Sequence, residues 1–270
     1  AAVLACGGSL ALDTGGKLPF VQGRRWAIVV GAEGYEHYSK LHYAADDARA
    51  VAKALIEDYR FEADAVRVLT DDGDALSTPT AGHILGELET FLADKRLDKG
   101  DLFVFFFAGH GVGTPDGDYL LPTDARPASV KAVGVPVATL IQRFVDRGLK
   151  NVLIMADACR NGAENPFGAE LQRLGREANL AVMLGTAPGS RSYEDDRLKH
   201  GVFAHHLLLS LSDSKLRHPV SGALWASQVG KSVREGTIAY TESDYGEEAQ
   251  TPAGGTSPTE GVVLGRSVAT

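Results

Sequence analysis

Cysteine is nearly absent from this 270-residue chain, with only Cys6 and Cys159 present. Two thiols cannot build a multi-disulfide scaffold, and no Cys-x-x-Cys spacing is available for structural zinc. No apolar run approaches the roughly 18 residues a membrane-spanning helix requires. Basic charge is also short, 27 Lys plus Arg against 35 Asp plus Glu for a net charge of −8. With no basic stripe to neutralise phosphates, general nucleic-acid binding is excluded, and a cationic substrate or partner suits the chain better. There is no internal repeat and no long low-complexity linker. The sequence begins without Met, and Ala1-Ala2-Val3-Leu4-Ala5-Cys6 resembles the tail of an export signal or a lipoprotein box. The charged segment and most of the apolar segment of such a signal are missing. Residues 1–24 are therefore expected to be a flexible leader or a processed remnant of an export signal, and both cytoplasmic and exported locations stay open.

What is present is a core-forming pattern, 44% hydrophobic, in which strand and helix signals alternate. Trp26–Gly31 reads as a first strand. Ala48, Val51, Ala52, Leu55, Ile56 and Tyr59 then recur at helical spacing behind Asp46 or Asp47 as N-cap. Val66–Leu69 is a short strand, and Thr78-Pro79 is expected to open a helix with Ile84, Leu85, Leu88, Phe91 and Leu92 on its apolar face. Leu102–Phe107 and Val152–Ala156 are continuous apolar runs, as in parallel strands covered on both faces. A hairpin around Asp118–Pro122 and a helix bearing Val137, Leu140, Ile141, Phe144 and Val145 lie between them. Beyond them come an exposed loop over Asn161–Gly175, a strand at Leu180–Gly185, helices over Gly201–Leu211 and Ser221–Arg234, and a last strand at Val262–Leu264 closing the sheet. The pattern predicts an α/β fold, a mostly parallel six-stranded sheet with helices on both faces.

Two of these strands end in chemistry. Leu102–Phe107 runs into Ala108-Gly109-His110-Gly111, and Val152–Ala156 into Asp157-Ala158-Cys159-Arg160-Asn161-Gly162. The carboxyl ends of parallel strands are where α/β folds build ligand sites. A thiolate nucleophile and a His able to move its proton are what acyl transfer requires. The glycines beside His110 would let a substrate approach, with the N–H groups of Gly111 and Cys159 holding an oxyanion. Taken singly, a buried Cys is a small core residue and a strand-end His is simply hydrogen-bonded; their pairing favours chemistry. Asp157, two residues before Cys159 on an extended segment, would share its side and line the substrate pocket, unless it only caps the next turn.

These residues resemble the clan of cysteine peptidases that holds caspases and metacaspases. His about 50 residues ahead of Cys is a recognised feature of that clan. The likeness runs over residues 25–265, leaving 266–270 as a tail. It takes in Asp46-Asp47-Ala48 and, as in bacterial metacaspases (orthocaspases), a late Gln250-Thr251-Pro252. It implies a caspase-like fold, a catalytic dyad of His110 and Cys159, and protein or peptide substrates. Caspases, which cut after Asp, have Gln where this chain has Asp157 and Arg where it has Leu41. The resemblance to metacaspases instead implies that Asp47 and Asp157 line a pocket for Arg or Lys, although Asp47 could merely cap its helix. Ala44 stands where many metacaspases carry a second cysteine. Self-cleavage at Arg173, Arg176, Arg197 or Lys199 is a further expectation, with solvated loop charges as the plain alternative. No metal or other cofactor is expected: Asp71-Asp72-Gly73-Asp74 lacks calcium-loop spacing, the segment after His110 offers calcium little beyond Asp116 and Asp118, and adjacent His205 and His206, with His200 nearby, are poorly disposed for zinc. A caspase-like scaffold that binds without cutting is the main rival. A cysteine hydrolase of the nucleophile-elbow type is disfavoured, because no Gly-x-Cys-x-Gly turn surrounds Cys159.

Overall fold

In the computed structural model the described residues are 23–160, 166–188, 190–219, 222–254 and 262–265. The expected leader, the C-terminal tail and the Asn161-Gly162 end of the cysteine motif lie outside them. Among the described residues the chain order is β1 (Arg25–Gly31), α1 (Ala44–Glu57), β2 (Val66–Thr70), α2 (Ala81–Ala93), β3 (Leu102–Thr114), β4 (Gly117–Leu121), α3 (Val130–Val133), β5 (Val135–Pro136), α4 (Val137–Arg147) and β6 (Asn151–Arg160). There follow α5 (Ala169–Glu177), β7 (Ala181–Leu184), β8 (Glu194–Asp195), β9 (His200–Gly201), α6 (Val202–Ser212), β10 (Leu224–Trp225), α7 (Ala226–Tyr245), β11 (Ala253–Gly254) and β12 (Val263–Gly265). No described helix is long and apolar enough to cross a membrane.

The main sheet runs β11-β7-β6-β3-β1-β2, with β4 and β5 continuing from the far end of β3. Pairing is parallel from β2 through β7 and antiparallel where β11 joins β7. Because side chains alternate along a strand, the apolar runs divide between two cores. Trp26, Ile28, Phe103, Phe105, Phe107 and Ile154 pack against residues of α2, α4 and α5 such as Leu88, Phe91, Leu140 and Phe144. Ala27, Val29, Val104, Phe106, Leu153 and Met155 meet Val51 and Leu55 of α1, Phe203 and Leu207 of α6 and Val229 and Val233 of α7. Each fully buried aromatic or aliphatic side chain contributes about 1.5–3 kcal/mol, so both faces of the sheet need their helices.

Several boundaries differ from expectation, each through a contact remote in sequence. The last strand does not close the sheet: β12 pairs with β10 in a separate ribbon, and β11 takes the edge position beside β7. The Asn161–Gly175 loop gives way to α5 from Ala169, because the Asp118 carboxylate, about 50 residues earlier, accepts the Gly168 and Leu171 N–H groups at 2.9 and 3.0 Å. Helix α1 is not capped by Asp46 or Asp47. Tyr43 is its N-cap, and Glu33 accepts the Ala45 N–H. Helix α2 is capped by Thr80, whose hydroxyl accepts from His83 N–H, while the Pro79 carbonyl is held outside the helix by Thr123 N–H. Helix α7 continues to Tyr245; Gly236 within it makes room for the His206 ring of α6, whose Nδ1 would lie 2.5 Å from a Cβ there.

Gly31, at the end of β1, is crossed closely by the start of α1. A Cβ there would lie 2.2 Å from the Ala44 carbonyl oxygen and 2.8 Å from the Ala45 Cα, backbone atoms that cannot swing aside. Gly31→Ala is expected to lower stability by about 1–3 kcal/mol in urea unfolding, the range for overpacking; an unchanged midpoint would contradict the close crossing.

Candidate active site

Strands β3 and β6 do not stop at the ends of their apolar runs but continue through both motifs, so that His110 and Cys159 are register partners on adjacent parallel strands. His110 is only 2% exposed. Its Nε2 lies 2.7 Å from the Ser39 carbonyl oxygen. A carbonyl only accepts, so the neutral ring carries its proton on Nε2 and leaves Nδ1 with a free lone pair. That Nδ1 is buried and without a hydrogen-bond partner among the described residues. Burial lowers the His110 pKa, with the Ser39 carbonyl and the Glu194 charge opposing the shift, so the ring is neutral at pH 7.

The β1–α1 loop holds this imidazole from the other side. The Tyr35 hydroxyl accepts the His110 backbone N–H at 2.9 Å and donates to the Leu121 carbonyl at 2.8 Å, while the Tyr35 and Tyr38 rings stand 4.6 and 6.0 Å from the His110 ring. The flanking glycines serve packing more directly than substrate approach. A Cβ on Gly109 would lie 2.7 Å from the Tyr35 hydroxyl, and one on Gly111 2.8 Å from the Phe167 ring.

A second group of residues gathers beside this pair, where α1, β6 and the β8–β9 ribbon meet the start of α6. Asp47 and Asp157 are 2% and 8% exposed. Asp47 accepts from His200 Nδ1 at 2.5 Å and Gly201 N–H at 3.0 Å; Asp157 accepts from the Ser192 hydroxyl at 2.5 Å and is steadied by the Ala204 N–H. Both acids thus face the N-terminus of α6, where anions are favoured. A Cβ on Gly201 would lie 2.9 Å from Asp47 Oδ2 and 3.0 Å from Asp157 Oδ2, so this glycine lets the two carboxylates close on one point. Desolvation raises Asp157 to about 7, with Asp47 and Glu194 adding to the shift, and raises Asp47 to about 6 against its hydrogen bonds from His200 and Gly201. The His200 pKa is raised in turn, chiefly by its bond to Asp47. The helix-cap role weighed for Asp47 does not hold, since Tyr43 is the N-cap of α1; Asp47 and Asp157 are drawn into one acidic recess.

Two members of the recess were not found as site residues from sequence. Glu194 accepts the His42 and Tyr43 N–H groups at 2.9–3.1 Å and adds a third negative charge. Within the acidic run Glu194-Asp195-Asp196 no local signal distinguishes it. Gln250, fully buried, reaches Gly185, Ser192 and Tyr193; its only sequence signal was the Gln-Thr-Pro resemblance.

The remaining residues singled out from sequence lie elsewhere. Arg173 and Arg176 are on α5 and not in a loop, Arg173 pairing with Glu177 at 2.8 Å. Arg197 and Lys199 occupy the turn between β8 and β9, Arg197 bound to Asp195 and Asp244 and Lys199 beside Tyr43. Asp116 pairs with Lys131, and Asp118 is committed to α5. Asp71 accepts from Glu33 and Gly34 N–H, Asp72 pairs with Arg49, and Asp74 accepts from Leu76 and Ser77 N–H, as in a turn. Among the described residues no three His, Cys, Asp or Glu side chains are arranged to hold a metal ion.

Comparison with known proteins gives the same frame. The family described as "Caspase domain" matches residues 24–253. Metacaspase-1B of Aspergillus terreus is 28% identical over 171 residues, 59% of this chain and 44% of that protein. Metacaspase-9 of Arabidopsis thaliana is 27% identical over 147 residues, 52% of this chain and 44% of that protein. The chain thus spans less than half the length of these curated relatives. The crystal structure of caspase-1 from Spodoptera frugiperda superposes with a TM-score of 0.63 over 92% of both chains at 16% identity, a likeness of fold.

The tautomer assignment is directly testable. Nitrogen NMR of the Cys159→Ala protein should find His110 with its proton on Nε2 and titrating below 6.5, the ordinary value from which burial lowers it. A ring protonated at pH 7 would contradict the buried, neutral imidazole.

Proposed function

The chain belongs to the caspase-domain family of cysteine peptidases, and from that premise we propose that it is an endopeptidase cutting peptide bonds after Arg or Lys through a His110–Cys159 dyad. The observation that carries the specificity is the convergence of Asp47, Asp157 and Glu194 beside the register pair. Burial and mutual repulsion push the two aspartates towards their neutral forms. A guanidinium or ammonium entering the recess would relieve both effects. An acidic side chain would add a further like charge, so cleavage after Asp is disfavoured.

In this mechanism His110 Nδ1 takes the Cys159 thiol proton, and the thiolate attacks the scissile carbonyl carbon. The oxyanion is assigned to the Cys159 and Gly111 N–H groups, which the empty protein pairs within the β3–β6 ladder, so the end of that ladder has to open for them to receive it. His110 then delivers its proton to the leaving amine, giving an acyl-thioester, and water activated by the same Nδ1 releases the second product. The Ser39 carbonyl stabilises the imidazolium that forms in between, a role needing no third side chain. All of this runs on protein groups; with Asp116 and Asp118 committed to Lys131 and α5, no calcium requirement is proposed.

The Gln250-Thr251-Pro252 segment supports a place in the bacterial, orthocaspase-like branch. Of the basic residues open to self-processing, Arg197 and Lys199 in the β8–β9 turn are the better placed, since Arg173 and Arg176 lie on a helix that would have to unwind to enter a cleft. The rival reading, a scaffold that binds without cutting, gains nothing from a buried imidazole nitrogen that has no hydrogen-bond partner among the described residues and stands beside the cysteine register position.

Fluorogenic peptides ending in Arg, Lys or Asp test the proposal. Arg and Lys substrates should be cleaved with calcium or with chelator, and Cys159→Ala should abolish cleavage. Cleavage after Asp, or none by the folded wild type, would overturn it. Asp157→Asn should raise KM for Arg substrates by roughly 30-fold or more, the scale of breaking a buried charge pair. The pH dependence follows in sign. A cationic side chain needs ionised partners, and their pKa values of about 6 and 7 in the free recess mean that kcat/KM falls as pH drops from 8 to 6. A flat profile across that range would contradict the role of the two acids.

A further inference from the structure

Gln250 is 0% exposed, and its hydrogen bonds reach three separate segments. Its Nε2 donates to the Gly185 carbonyl and to the Ser192 hydroxyl, each at 2.7 Å; its Oε1 accepts the Tyr193 N–H at 3.0 Å; its own N–H donates to the Thr241 hydroxyl at 3.0 Å. The backbone partners fix which way the amide points, because a carbonyl can only accept and an N–H can only donate. The second Nε2 hydrogen is therefore directed at Ser192. The Ser192 hydroxyl, having accepted it, turns its own hydrogen to Asp157 Oδ1 at 2.5 Å. A second route ends at the same carboxylate. Gly185, held by Gln250 and by its own N–H to the Ala156 carbonyl, packs so closely that a Cβ on it would lie 2.2 Å from Asp157 Oδ1.

We propose that Gln250 and Ser192 form a positioning relay for the substrate-binding recess, holding Asp157 in place and in its charged, cation-accepting form. The inference rests on the reading of Asp157 as part of the pocket for a basic side chain. The groups facing Asp157 otherwise work against its charge: Asp47 from α1 and Glu194 from β8 are both acidic, and His200 on β9 is spent on Asp47. The Ser192 hydroxyl and the Ala204 N–H are the donors that oppose them. The relay also gives a physical role to Gln250 of the Gln-Thr-Pro segment, which the dyad leaves unexplained. Neither residue is catalytic; both act through Asp157.

The test removes the last donor and then reverses the first. Ser192→Ala deletes the hydrogen bond to Asp157, Ser192→Thr keeps it, and Gln250→Glu replaces a donor with an acceptor that competes for the Ser192 hydrogen. Carboxyl-carbon NMR of Asp-labelled protein in a Cys159→Ala background, with Asp157→Asn to assign the signal, reads the relay without needing activity. The Asp157 titration should move up by about one pH unit in Ser192→Ala and Gln250→Glu and stay in place in Ser192→Thr. In the active enzyme the acid limb of kcat/KM for Arg peptides should move with it, about tenfold at pH 6, through KM and with kcat nearly unchanged. An Asp157 titration in folded Ser192→Ala within about 0.3 pH units of the parent overturns the proposal. A shift in Ser192→Ala with none in Gln250→Glu removes Gln250 from the relay and overturns it equally. Should the buried glutamate unfold the chain, Gln250→Met supplies the same reading, with a smaller upward shift expected. Failure of the wild type to cut Arg or Lys peptides would defeat the proposed function, while the NMR titration still judges the relay.

Discussion

Ten consecutive register pairs join β3 to β6, from Leu102 with Asn151 to Gly111 with Arg160. The proposed chemistry depends on that alignment. A slip of one residue would send alternate side chains to the wrong core and move His110 out of step with Cys159. The slip is prevented well away from the chemistry. Phe103, Phe105 and Phe107 are committed to the layer of α2 and α4, and Val104 and Phe106 to the layer of α1 and α6, all fully buried. The same strand pair places Ala108 opposite Asp157, so His110, the proposed base, and the wall of the acidic recess are set by one ladder.

Around that ladder the site is assembled from pieces distant in the chain, and electrostatics explains why so much polar scaffolding is needed. Asp47 and Asp157 are buried, close to each other and to Glu194, an arrangement that favours their protonated forms. A carboxylate whose pKa is raised on folding lends stability while protonated and opposes the fold once pH rises through that pKa. At neutral pH and above, these two acids therefore weaken the empty protein. The N-terminus of α6, the Gly201 N–H, His200 and the Ser192–Gln250 pair limit that effect without cancelling it. A recess left short of positive charge is one that a basic side chain can complete.

The sequence made the sheet and the register pairing of His110 with Cys159 legible because both are local: apolar runs with period-two packing, and short motifs at their ends. Asp157 was readable by its position two residues before Cys159, and Asp47 only through family resemblance. Helix α5 was not legible, since a carboxylate some fifty residues away stabilises its first turn. The same holds for β11, whose two residues take the sheet edge that Val262–Leu264 was expected to fill. Glu194 escaped because its meaning lies in the His42 and Tyr43 N–H groups that it grips from another segment. In each case a contact remote in sequence supplied what local pattern could not carry.

The central claim is that the acidic recess beside the His110–Cys159 pair receives the basic side chain of the substrate. A crystal structure of the protein treated with a peptidyl-arginine chloromethyl ketone tests it most directly. The account predicts a single covalent bond at the Cys159 sulfur, with the guanidinium among Asp47, Asp157 and Glu194. Modification at another residue, or a Cys159 adduct whose guanidinium lies in solvent while the recess stays empty, would contradict it.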